Sequence, residues 1–134
     1  MGGLLLTGRS PWVQFNLISA MWVGDHAAYL DSFGPHTLAG LVTHLATSVL
    51  MGLMAAPILR TLPPARVLLV SFVYALVAYA LMFGLVLRWA NPLMVERTSL
   101  LPMTLAHALW GIVLGAVYLR LRRSSPLALR IAAS

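Results

Sequence analysis

The sequence contains no cysteine and no lysine, and only three of its 134 residues are acidic. The absence of cysteine excludes disulfides, thiolate metal sites and cysteine nucleophiles. The absence of lysine excludes Schiff-base chemistry and the lysine of a phosphate-binding loop. Charged residues make up 9% of the chain, against about a quarter in a soluble domain. The chain therefore has too little polar surface to face water on all sides.

Apolar residues take the place of the missing charges. The chain is 60% hydrophobic, with a mean hydropathy of +0.89, which predicts an integral membrane protein of one domain spanning residues 1–134. The net charge of +6 comes from nine arginines that stand at the ends of the apolar runs. Arginines there orient helices and contact anionic lipid. We therefore expect bound lipids and no nucleic-acid partner.

Three apolar runs are long enough to cross a bilayer as helices: residues 38–59, 67–87 and 100–119. Twenty residues of helix reach about 30 Å, the thickness of the hydrocarbon core. A shorter apolar segment, residues 11–24, follows Ser10 as a predicted N-cap. The predicted fold is all-α, with three transmembrane helices and an interfacial helix at the N-terminus. A protein with four transmembrane helices is the alternative.

The arginine distribution predicts the orientation in the membrane. With three spans, one side holds six arginines and the other holds Arg9, Arg88 and Arg97. Because the side richer in arginine faces the cytoplasm, we expect the basic tail, residues 120–134, to be cytoplasmic in a bacterial inner membrane. The same side results if there are four spans.

Two histidines lie at matching positions within the spans. Moving the third span back by 63 residues places His107 on His44 and Gly115 on Gly52. One span separates the two helices, so they run parallel, and both histidines lie about 10 Å below the outer side. Such a pair could ligate a b-type haem, because imidazole is a usual axial ligand.

Hydrogen bonding is the more common role for a histidine in a membrane helix. Each imidazole would then bind a hydroxyl or carbonyl group on a neighbouring helix, with Thr43, Thr47 or Tyr74 as examples. A proton-relay or quinone-proximal role is a third reading.

Small residues follow each histidine. Ser48 and Gly52 form one ridge, and Gly111 and Gly115 form another. Small residues four apart allow close approach of membrane helices, either within this chain or against another protein.

The loop of residues 25–37 carries acids and histidines that could bind a metal or act as acid and base: Asp25, His26, Asp31 and His36. Nothing in their spacing fixes a geometry, and we interpret the segment as a solvated loop. No nucleophile motif, phosphate loop or pair of carboxylates occurs in the spans. The sequence therefore predicts no catalytic residue, no metal site and no enzyme activity.

Three stretches, PWVQFNLISAMWVG, GLVTHLATSVLMG and LAHALWGIVLGAVY, resemble a loose group of small uncharacterised bacterial multi-span membrane proteins. In that group a further transmembrane helix usually precedes the first stretch, and this sequence lacks it. The resemblance implies a helical membrane fold and no particular activity.

The sequence favours a non-catalytic accessory subunit of a larger bacterial membrane complex, such as a respiratory or photosynthetic assembly. Its expected partners are other integral membrane subunits and lipids, and no cofactor is predicted. One alternative is an electron-transfer anchor that binds haem b through His44 and His107. Another is a small transporter or channel, which would need to oligomerise because three helices enclose no useful pore.

Overall fold

The computed structural model describes residues 10–124, which form helices and turns without any strand. Three helical segments in this range have the length and composition to cross a membrane: Pro35–Leu59, Pro64–Ala90 and Leu100–Arg123. A shorter apolar helix, Val13–Val23, precedes them. The predicted all-α membrane fold with three long helices and one short N-terminal helix is confirmed.

Residues 10–124 contain six α-helices: α1 Val13–Val23, α2 Pro35–Leu59, α3 Pro64–Leu81, α4 Leu87–Ala90, α5 Pro92–Arg97 and α6 Leu100–Arg123. A 3-10 turn, Asp25–Tyr29, follows α1, and a π-helical turn, Met82–Val86, joins α3 to α4. The first two spans begin three residues earlier than predicted, because Pro35 and Pro64 occupy first helical positions. Proline suits that position, since its missing N–H would have no helical partner there.

Helix α1 is packed into the bundle. Its eleven residues reach about 16 Å, half of a hydrocarbon core, so it does not make a fourth span. Five successive residues, 16–20, are buried, which a helix covered on one face alone would not show. At its closest approach to α2, a Cβ on Gly40 would collide with the backbone carbonyl of Phe15. Glycine at position 40 therefore lets the two backbones touch.

Ser10 plays a smaller part at the start of α1 than predicted. Its hydroxyl accepts a hydrogen bond from the Trp12 N–H at 3.4 Å, and the helix begins at Val13.

The buried side chain of Asn16 joins α1 to the following loop through hydrogen bonds. Its amide nitrogen donates to the carbonyls of Leu30 and Ser32 at 2.7 and 3.2 Å. Its amide oxygen accepts from the Thr37 hydroxyl at 2.7 Å, and that hydroxyl accepts from the Gly34 N–H. All polar atoms of this side chain have partners, which is what burial at 0% exposure demands.

A second buried asparagine, Asn91, fastens α1 to the far part of the chain. Its amide nitrogen donates to the Leu17 carbonyl at 2.8 Å, and its oxygen caps α5 by accepting from the Met94 N–H at 3.2 Å. Nearby, the Arg97 guanidinium donates to the Ala28 carbonyl at 3.0 Å. Helix α1 is thus held from two sides at one end of the bundle.

The three spans meet most closely at the opposite end. Ala55, Leu59 and Val67 form a small buried cluster beside the turn between α2 and α3. The Tyr74 hydroxyl donates to the Met51 carbonyl at 2.9 Å, and Arg122 donates to the Leu62 carbonyl at 2.8 Å. Toward α1 the helices leave space between them, and that space holds the candidate site.

Candidate functional site

A cavity of about 750 Å³ lies between α1, α2, α3 and α6. It exists because α6 packs closely on α3 and only lightly on α2. A Cβ added to Gly52 of α2 would meet only Leu114 Cδ1 of α6, at 3.6 Å. The volume falls within the range of about 300–1,000 Å³ that is usual for small-molecule sites.

The close α3–α6 contact comes from the second predicted ridge. Gly111 and Gly115 are the only fully buried residues of α6. A Cβ on Gly111 would lie 2.7 Å from the Ala75 Cβ and 2.8 Å from the Ser71 carbonyl oxygen. A Cβ on Gly115 would lie 2.9 Å from Ser71 Oγ. This ridge is therefore used inside the chain.

The first predicted ridge reaches the cavity through Ser48 alone. Ser48 is on the cavity wall, and its hydroxyl donates to the His44 carbonyl of its own helix at 2.8 Å. Small side chains at Ser48 and Gly52 leave room between α2 and α6.

Both span histidines line this one cavity. On α2, the His44 ring meets the edge of Phe15 at a centroid distance of 6.2 Å. Among residues 10–124 the His44 imidazole has no hydrogen-bond partner.

His107 is more firmly positioned. Its Nδ1 lies 2.8 Å from the Met103 carbonyl one turn earlier. Because a carbonyl only accepts, Nδ1 carries the proton, and Nε2 of the neutral ring keeps its lone pair. The ring also stacks on Tyr79, with centroids 4.5 Å apart and planes at 29°. The α3 and α6 helices thus hold this imidazole in one orientation.

The hydrogen bonds expected between these histidines and neighbouring helices are absent from the described part of the chain. Thr43 and Thr47 donate back to carbonyls of α2 at 2.8 Å, and Tyr74 donates to Met51. The Thr43 hydroxyl also accepts from the Trp22 indole at 3.0 Å. The sequence-based choice of partners was wrong because threonine in a helix readily bonds the carbonyl four residues earlier.

Three residues that line the cavity each carry a buried polar atom that has no hydrogen-bond partner within residues 10–124. These atoms are the amide nitrogen of Gln14, the hydroxyl of Tyr79 and the hydroxyl of Thr98. Each atom is buried, and burying an unpaired polar group costs about 1–3 kcal/mol. The sequence did not identify them, because they come from three separate segments that only the fold brings together.

Methionine is concentrated at the site. Of the six methionines within residues 10–124, only Met54 is away from the cavity; the others that line it are Met21, Met51, Met82, Met94 and Met103. Methionine is flexible and polarisable, so it adapts to ligands of irregular shape. The π-helical turn Met82–Val86 also reaches this wall, and such turns occur frequently at functional sites.

Asp25, His26 and Asp31 are exposed, whereas His36 is partly buried in the first turn of α2. Asp25 begins the 3-10 turn, and His36 Nε2 lies 3.4 Å from the Ser32 carbonyl. Within the part of the chain that the structure describes, no three His, Cys, Asp or Glu side chains come together as a metal site would require.

Comparison with protein-family models, with curated protein sequences and with solved structures finds no match to this chain.

Proposed function

We propose that the protein is a non-catalytic accessory subunit of a larger bacterial membrane assembly, such as a respiratory or photosynthetic complex. The observation that supports this role is the lack of buried residues in the middle of α2. From residue 41 to residue 54 not one side chain or glycine of α2 is buried, although this stretch is apolar and lies within a membrane span. Part of this stretch lines the cavity, and no segment within residues 10–124 covers its outer face, which leaves that face open to a helix of another subunit.

One face of α2 is suited to packing against another helix. Val42, Leu45, Val49 and Leu53 recur at helical spacing and are each more than half exposed. Apolar side chains at this spacing form a continuous stripe. A helix of a neighbouring subunit would cover it along about three turns.

Photo-crosslinking in the native membrane tests this role. A benzoylphenylalanine at Val49 should give one discrete protein adduct that co-purifies in mild detergent. The matched control is the same residue at Val117, on the exposed face of α6, which should give less of that adduct. Lipid adducts alone at Val49, with migration at the mass of the single chain, would contradict the proposal.

The arrangement of the arginines supports the proposed orientation. Arg60 and Arg66 lie at the same end of the bundle as the arginines that close α6, namely Arg120, Arg122 and Arg123. Arg88 and Arg97 belong to the other end. We propose that the first group, and with it the C-terminus, faces the cytoplasm. Arg9 and Arg130 lie outside the described residues.

A haem b-binding electron-transfer anchor is the second candidate. It is favoured by the placement of His44 and His107 on one cavity and by the free Nε2 lone pair of His107. A carbonyl bonded to Nδ1 is the usual way of orienting a ligating imidazole.

Optical spectroscopy separates this candidate from the first. A haem protein should show a Soret band that shifts on reduction and disappears in His44→Ala and in His107→Ala. The control is His26→Ala, at an exposed position of the 3-10 turn, which should keep the band. A colourless protein from haem-replete cells would remove this candidate.

A further inference from the structure

We propose that the cavity binds an amphipathic molecule whose flat ring carries hydrogen-bond-accepting carbonyls, the chemistry of membrane quinones. This site is additional to any docking surface on α2, and it rests on the walls of the cavity alone.

The polar groups on the wall define what the head of the ligand must offer. The Gln14 amide nitrogen can only donate, and the hydroxyls of Tyr79 and Thr98 are also unpaired. A ligand with two or more acceptors would relieve the cost of burying these groups once small side-chain rotations turn the three atoms toward the cavity. A pure hydrocarbon chain would leave all three unsatisfied.

The apolar part of the wall defines the rest of the ligand. Aromatic rings of Phe15, Tyr79, Phe83 and Trp110 line the cavity, and they suit a flat ring that stacks or packs edge-on. The methionines supply an adaptable surface for an alkyl or prenyl tail. Among the described residues, Arg97 is the only formally charged side chain on the wall. Its guanidinium already donates to the Ala28 carbonyl and lies 4.0 Å from the centre of the Tyr29 ring. A neutral head therefore fits better than an ionic one.

Trp110 provides a reporter within the site. It is the only one of the four tryptophans on the cavity wall. Purified protein in detergent is titrated with decylubiquinone, and tryptophan fluorescence is followed. We expect a saturable quenching phase above the linear background of partitioning into micelles. Trp110→Phe should remove the saturable phase and leave the background.

Two tyrosine variants test the hydrogen bonds. Tyr79→Phe keeps the ring but removes one donor, and we expect the apparent Kd to rise about fivefold, the value of one hydrogen bond. The matched control is Tyr74→Phe in the same span, because that hydroxyl is already bonded to Met51 and lies off the cavity wall. It should leave the Kd unchanged.

A competition experiment decides whether carbonyls are recognised. Decylbenzene has the same tail and a ring without acceptors, so it should displace decylubiquinone only weakly. Equal displacement, an absent saturable phase, or the same Kd in Tyr79→Phe and the unaltered protein would each overturn the proposal. A Soret band in protein from the native membrane would do so as well, by assigning the cavity to haem.

Discussion

Replacing Gly111 by alanine tests the close contact that gives the bundle its shape. The added Cβ would lie 2.7 Å from the Ala75 Cβ and 3.0 Å from the Phe72 Cα. Neither atom is at the end of a flexible side chain, so α3 and α6 must move apart by about 0.7 Å to reach ordinary contact at 3.4 Å. Overpacking of this kind costs about 1–3 kcal/mol.

Gly52→Ala is the matched control for this change. The nearest atom to its Cβ would be Leu114 Cδ1 at 3.6 Å, an ordinary contact, and alanine gains up to about 1 kcal/mol of helix propensity over glycine. The same propensity gain applies at position 111, where it offsets part of the overpacking. We therefore expect Gly111→Ala to be less stable than Gly52→Ala by about 2 kcal/mol.

Unfolding by sodium dodecyl sulfate in mixed micelles, followed by circular dichroism, measures this difference. Both variants should insert into the membrane equally, so that expression level does not confound the comparison. If the two unfolding midpoints coincide, the α3–α6 contact is looser than described, and the reasoning that assigns the cavity to this asymmetry fails.

Two further predictions concern the hydrogen bonds of Asn91 and the placement of the arginines. Asn91→Leu removes both the bond to the Leu17 carbonyl and the cap of α5, so the free energy of unfolding should fall by about 2–3 kcal/mol. An unchanged midpoint in the same assay would show that these two hydrogen bonds contribute little stability. A reporter enzyme fused after Ser134 should be active only in the cytoplasm, and periplasmic activity would reverse the proposed orientation.

The long helices were predictable because membrane spans depend on composition and length. Asn91-Pro92 shows where this reasoning stops. An Asn-Pro pair between two apolar runs is typical of a turn, yet an asparagine cap followed by proline is also how a helix begins, and α5 starts there. Only the nearby carbonyl of Leu17, brought from 74 residues away, distinguishes the two.

The placement of His44 and His107 on one cavity was partly predictable, but the residues that surround them were not. Equal depth on parallel helices already indicated that the two rings could share a space. The cavity itself depends on how far α2 stands from α6, which follows from the sum of contacts at Gly40, Gly111 and Gly115. The burial of Asn16 is not predictable from its residue type, because asparagine is mostly exposed in proteins and its partners come from the following loop.

The hydrogen bonds of the two asparagines must form in a fixed order while the protein is being synthesised. The partners of Asn16, at Leu30, Ser32 and Thr37, leave the ribosome soon after it, so α1 can settle against the start of α2 early. The bond from Asn91 cannot form until the second span has been inserted, and α6 comes later still. The wall contributed by α6 is therefore added after those of α1, α2 and α3, and the cavity is completed only once α6 has been synthesised.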